Sequence, residues 1–186
     1  MRQAVGKFKQ AEEDYLRALG LRRSYPDAEF NLGNLYLKTR KHDLAEKRFR
    51  IASKSKHELA FANLIILLDE MGRLQEAQDV IKEAIETFPD NPDFYFQKAN
   101  CLGKQVSCSF SMLVGIYFSI SQGNYEESEA MYLRAISLRN SGLYWSNLGV
   151  LYHRANKKEK AVSAYTTALL LDKNIQSARA NLEKLQ

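Results

Sequence analysis

An all-α fold is expected for this chain: antiparallel helix pairs stacked as a short repeat array into a superhelix. Self-similarity is the first reason. "AEFNLGNLYLKTRKHDLAEKRFRIA", "LAFANLIILLDEMGRLQEAQDVIKEAI" and "LYWSNLGVLYHRANKKEKAVSAYTTAL" each hold an Asn-Leu pair. An alanine follows 14 residues after each Asn, and another seven later. The second reason is the type of residue in those columns. Ala11, Ala45, Ala77, Ser128 and Ala161 form one, and Ala18, Ala52, Ala84, Ala135 and Ala168 the other. Small residues there let paired helices approach closely. Tyr15, Phe49, Ile81, Tyr132 and Tyr165, four residues past the first column, fill the gap between neighbouring hairpins.

Steps in the second column are 34, 32, 51 and 33 residues, and removing 17 turns 51 into 34. A helix–turn–helix period of about 34 is the tetratricopeptide length. Helices are therefore expected at 8–18, 27–39, 43–54, 58–71, 74–87, 93–104, 125–138, 143–155, 159–171 and 175–185. Gly6, Gly72 and Gly123 stand where helix A must stop and turn, a left-handed position glycine takes cheaply. Arg22-Arg23 and Asn156-Lys157-Lys158 read as helix ends and turns. Asn91-Pro92-Asp93 reads as N-cap, first helical residue and an acid favoured by the helix dipole. The first repeat keeps only its second helix, so Tyr15, Leu16 and Leu19 are expected to lack a covering partner. That reads as a cut inside a longer array. At the other end, "SARANLEKLQ" starts like another helix A and can serve as a polar cap.

Composition fits a folded protein, with 45% hydrophobic and 26% charged residues, three prolines and nine glycines. The net charge of +5 reads as solvated surface. No basic run is interleaved with aromatics as a nucleic-acid platform needs, so no nucleic-acid partner is expected. Cys101 and Cys108 make neither a disulfide framework nor a zinc site, and the three histidines are scattered. The opening "MRQAVGKFKQAEEDY" is neither a signal peptide nor a membrane span. No nucleophile–base pair, metal cluster or phosphate loop stands at a meaningful spacing. No catalytic residue, metal site or cofactor is expected within these residues; solenoids of this kind supply extended binding surfaces.

Helix A residues line the inner face of such a superhelix. The candidate groove residues are Phe30, Asn31, Asn34, Asn63, Phe96, Asn100, Asn147 and His153, with Leu37, Ile66, Ser146 and Val150 beside them. An Asn amide both donates and accepts, so it can hold the backbone of an extended peptide. Two roles stay open for Asn31, Asn63 and Asn147: ligand contact, or a tie from one hairpin to the next. Domains that grip acidic chaperone termini place lysines in this groove. The matching positions are Phe30, Ala62, Phe96 and Ser146, so a carboxylate clamp would lack its cations.

"RRSYPDAEFNLGNLY", "NLIILLDEMGRLQEA", "ANCLGK", "YEESEAMYLRAI" and "NLGVLYHR" together resemble the carboxy-terminal repeats of the transmembrane and tetratricopeptide-repeat proteins. The likeness runs in order from about Ala11 to Leu182. It implies an endoplasmic-reticulum membrane enzyme with luminal repeats, O-mannosylating cadherin-type proteins from dolichyl phosphate mannose. The family's catalytic loop lies in a membrane part that these residues do not include, so no catalytic residue carries over. The alternative is a cytoplasmic repeat adaptor that binds an extended peptide.

Three sections follow: a repeat array over 1–104, a non-repeat apolar insertion over 105–122, and a continued array over 123–186. Val106 to Gln122 holds no charged residue. Its apolar centre, Phe110 to Ile120, falls short of the roughly 20 residues a spanning helix needs. An extra helix is opposed by its serines and glycine. The tract reads instead as a short intron translated in frame: Val106-Ser107 can be encoded GTAAGT and Gln122 CAG, and excision restores "ANCLGKQGNYEESEA". It is expected to have no function, to be poorly ordered or ill-packed, and to destabilise the third repeat.

Overall fold

The computed structural model describes residues 2–22, 24–108 and 114–185, with side chains described outside 2–6, 105–108 and 114–123. Among the described residues ten helices follow one another: α1 (Arg2–Leu21), α2 (Pro26–Lys38), α3 (His42–Lys54), α4 (Glu58–Glu70), α5 (Leu74–Thr87), α6 (Pro92–Cys108), α7 (Val114–Leu138), α8 (Gly142–Arg154), α9 (Lys158–Leu171) and α10 (Gln176–Glu183). There is no strand among the described residues. Six of the ten expected ranges agree with these to within a residue at each end. The chain divides into two compact units, Met1–Phe88 and Pro89–Gln186.

In the first unit α1 packs on α2, α2 on α3, α3 on α4 and α4 on α5. In the second, α6 packs on α7, α7 on α8, α8 on α9 and α9 on α10. The alanine columns form the seams. From the second repeat onward every member of both columns is fully buried. All twelve residues expected in the core (Leu32, Leu35, Ala45, Phe49, Leu64, Leu68, Ala77, Ile81, Leu148, Tyr152, Ala161 and Tyr165) are buried. Ser128 occupies an alanine position without leaving an orphan hydroxyl, because its Oγ donates to Ala99 O at 2.9 Å.

Small residues also set the approach from the helix A side. A Cβ on Gly33 would stand 2.6 Å from the Phe49 ring, and one on Gly149 equally close to the Tyr165 ring. The glycine of each N-L-G therefore gives its aromatic partner room. Where helix B carries the smaller Ile81, helix A carries Ile65 at that level, and both are buried.

Turns between paired helices use the left-handed region as expected at Gly72 (φ 73°). Arg40 and Asn156 occupy the equivalent positions with φ of 58° and 57°. Asn91 caps α6 as expected, its Oδ1 accepting from Asp93 N at 2.8 Å.

Three expectations need correction. Gly6 lies inside α1 and Gly123 inside α7, so neither is a turn. Propagating an existing helix adds a hydrogen bond per residue fixed, which outweighs about 1 kcal/mol for one glycine. Leu16 is exposed, but its column continues through Lys82, Leu133 and Thr166, which also face solvent. Its exposure belongs to the outer surface of the repeat, not to a missing partner. In the apolar tract, residues 106–108 lengthen α6 and residues 114–122 begin α7. Residues 109–113 lie outside the described residues, so the expected disorder or poor packing of the tract is untested there.

Candidate functional site: the helix A faces

In the first unit α2 and α4 carry the candidate face. Residues seven apart lie nearly in line along one side of a helix, which sets Asp27 with Asn34 and Leu59 with Ile66. Asn63 Nδ2 donates to Asn34 Oδ1 at 2.7 Å, a bond linking the two helices. Of the two roles open for Asn63, the tie between hairpins is thus occupied. Asn31, one turn before Asn34, is exposed. Phe30 does not stand open to a ligand: its ring stacks on His57 at 4.6 Å and tilts against Phe49 at 6.0 Å.

His57 was not legible as a partner of this face. It is the N-cap of α4, and its Nδ1 accepts from Ala60 N at 3.2 Å. That leaves Nε2 to carry the proton, facing Asp27 Oδ1 at 3.2 Å. One imidazole thus caps a helix, stacks on Phe30 and reaches a carboxylate of the preceding repeat. The available signal was its place directly before "ELAFANL", where a capping side chain belongs.

In the second unit Phe96 stacks on Tyr144 at 4.8 Å and meets Tyr132 edge-on at 6.0 Å. Tyr132 OH donates to Asn100 Oδ1 at 2.6 Å. Burial raises the Tyr132 phenol above its ordinary range, so it stays a proton donor. Asn147 donates to Leu143 O, one turn earlier in its own helix, at 2.9 Å. His153 is half-buried in the last turn of α8, and Ser146 is buried. The structure therefore brings together Asn34 with Asn63, and Phe96 with Asn100 through Tyr132. It leaves Asn31, Asn147 and His153 separate.

Leu59 (57% exposed) and Leu143 (52% exposed) belong to the same faces and escaped the sequence reading. They precede Ile66 and Val150 by seven residues. That spacing was the available signal.

A second recurring arrangement was also missed. Glu12 accepts from Tyr36 OH at 2.9 Å and pairs with Lys41 at 3.3 Å. Glu129, the equivalent of Glu12, likewise accepts from Tyr152 OH at 2.8 Å, and it pairs with Lys160, three residues past the position equivalent to Lys41, at 3.1 Å. Between them, Glu46 is bonded by Arg73 and by Arg50 at 2.8 Å, and both arginines also reach Glu76. Glu12, Glu46 and Glu129 each follow the first small residue of a helix B (Ala11, Ala45 and Ser128) and hold the next repeat. Burial pushes the carboxyls of Glu46 and Glu129 up, but bonds from Arg73 and Arg50, and from Tyr152 and Lys160, outweigh it and hold both below the ordinary carboxylate range. Sequence showed the acids and bases without the 27 to 31 residue separations that pair them.

Tetratricopeptide-repeat family profiles match residues 2–55, 115–141 and 142–175, together more than half of the chain. The chain belongs to the tetratricopeptide-repeat family, a class of scaffold suited to protein interaction. Among solved structures it is similar to YrrB, described as a tetratricopeptide-repeat protein with an unusual peptide-binding site. The TM-score is 0.70 at 19% identity, over 97% of this chain and 86% of that one. It is also similar to a Thermus thermophilus repeat protein, TTC0263, with a TM-score of 0.66 at 19% identity, over 98% and 92% of the two chains. These likenesses show the fold. A Caenorhabditis elegans protein named as a protein O-mannosyl-transferase is 27% identical over 122 residues, which are 65% of this chain and 15% of that protein. No helix among the described residues is long and apolar enough to cross a membrane.

Proposed function

We propose that this chain is the protein-binding repeat region of an O-mannosyltransferase, recognising cadherin-type acceptors on the luminal side of the endoplasmic-reticulum membrane. The observation that carries the binding half is the first unit's A face. There the exposed Asn31 shares a face of α2 with Asn34, whose bond to Asn63 joins it to the helix that carries the exposed aliphatic Leu59 and Ile66. Asn34 spends its oxygen on Asn63, and among the described residues its amide nitrogen makes no hydrogen bond. Such a surface suits an extended backbone with aliphatic side chains. Phe30, Phe96 and Ser146, engaged or buried at the sites where a carboxylate clamp needs cations, speak against an acidic terminus as ligand. The mannosyltransferase half is supported by the ordered likeness from Ala11 to Leu182 and by the nematode relative. In this reading dolichyl phosphate mannose is used by a part of the protein other than these residues.

Full-length transcript sequencing tests the proposal. An upstream reading frame with several apolar segments of about 20 residues each supports it. A start codon preceded by in-frame stops overturns it in favour of a cytoplasmic adaptor.

A further inference from the structure

We propose that the A face of the first unit takes an extended segment with a lysine or arginine two residues from an aliphatic side chain, and that Glu70 receives the cation. This rests on the reading of that face as the binding surface and adds which segment it takes. Both helices of the face lie inside the array: α2 packs on α1 and α3, and α4 on α3 and α5. Leu59 (57% exposed) and Ile66 (43% exposed) stand open on α4. Glu70 follows Ile66 by one turn, which sets the three residues in one stripe.

For the helix alone, Glu70 is the wrong residue. At the same repeat position α2 ends in Lys38 and α8 in Arg154. Those cations meet the negative end of the helix dipole favourably. The last turn of α4 holds no base, and Asp69 and Glu70 stand there instead. Glu70 is exposed, and among the described residues its carboxylate makes no ion pair or hydrogen bond. A local rule broken with no return inside the fold marks a place where a ligand sets the residue. Asp27, on the α2 side of the face, is already held by His57.

Spacing then fixes the segment. Four residues of helix rise about 6 Å, close to the roughly 7 Å between same-side residues of an extended chain. An aliphatic residue seated on Ile66 therefore brings a lysine or arginine two positions away to Glu70. Its methylene stem lies on the apolar stripe and its charged head on the carboxylate. The amide nitrogen of Asn34, whose oxygen is spent on Asn63, is left for a backbone carbonyl of the segment.

The probe is the fluorescently labelled peptide SGLTITKTGS, titrated into the full chain by anisotropy beside a copy with glutamate in place of its lysine. The lysine peptide should saturate and bind at least about tenfold tighter, or 1.4 kcal/mol, with a gap that narrows as salt is added. Glu70→Gln should remove most of that preference, and Glu70→Lys should reverse it. Glu70→Lys restores the cation that α2 and α8 carry at this position, so it should melt no lower than the parent chain. Its lost affinity for the lysine peptide is then not unfolding. Ile66→Ser should weaken both peptides alike. Equal binding of the two peptides, still weakened by Ile66→Ser, overturns the role of Glu70 and leaves the face as the binding surface. A preference that survives Glu70→Gln puts the cation elsewhere and overturns it too. No saturation up to about 1 mM of either peptide overturns both this proposal and the reading of the face.

Discussion

Gly149 and Tyr165 show how far a single atom controls this fold. A methyl group on Gly149 would sit 2.6 Å from the tyrosine ring, which is fully buried. Gly149→Ala and Gly33→Ala should each cost about 1–3 kcal/mol, read as a lower urea midpoint at unchanged slope. Ala45→Leu and Ala161→Leu should cost a similar amount for the same reason. Glu46 poses a different question at the same scale. Its folded carboxyl is held below the ordinary carboxylate range, so its contribution to stability is present above the ordinary pKa and lost as pH falls through the folded one. Melting curves of the protein and of Glu46→Gln should differ near neutrality and converge on acidification. A gap that persists at the acid end would mean that shape, not charge, is what glutamine lost.

Helix ends and lengths are set by a competition between local signals and propagation. The Asn91 cap wins locally: Asn91→Ala should cost about 1 kcal/mol. Gly123 loses, because α7 runs through it from Val114. The hairpin of α6 and α7 is therefore longer than the repeat period, and the excess is the uncharged tract. We expect a protein lacking residues 106–122 to melt higher than the full chain, because the 34-residue step is restored. Transcripts that uniformly retain these 51 nucleotides, or a lower melting temperature for the deletion, would sink the reading of the tract as a translated intron.

For the molecule as a whole, binding should separate from stability. Asn34→Ala together with Asn100→Ala should weaken an extended peptide or cadherin-type acceptor. Asn34 Oδ1 does meet Asn63 and Asn100 Oδ1 meets Tyr132, so the double variant should also lose about 1–2 kcal/mol of stability. Isothermal titration beside thermal melting distinguishes the roles. Lost affinity beyond what that destabilisation explains marks ligand contacts, and unchanged affinity marks structural ties.

The order of ten helices, the alanine seams and the turn at Gly72 were legible in the sequence because each follows from periodicity and local backbone chemistry. A fixed spacing places residues on one helix face whatever the helix packs against. What the asparagines and aromatics of the A face are bonded to was not legible. Asn34 meets Asn63 29 residues away, Tyr132 meets Asn100 across 32, and His57 meets Asp27 across 30. The glutamate locks between repeats are equally distant along the chain. Such pairings are settled only when packed helices bring the groups within hydrogen-bond reach, where burial makes an unmet partner costly. Periodicity specified the helices and the seams; tertiary packing decided which polar groups on the A faces are spent inside the fold.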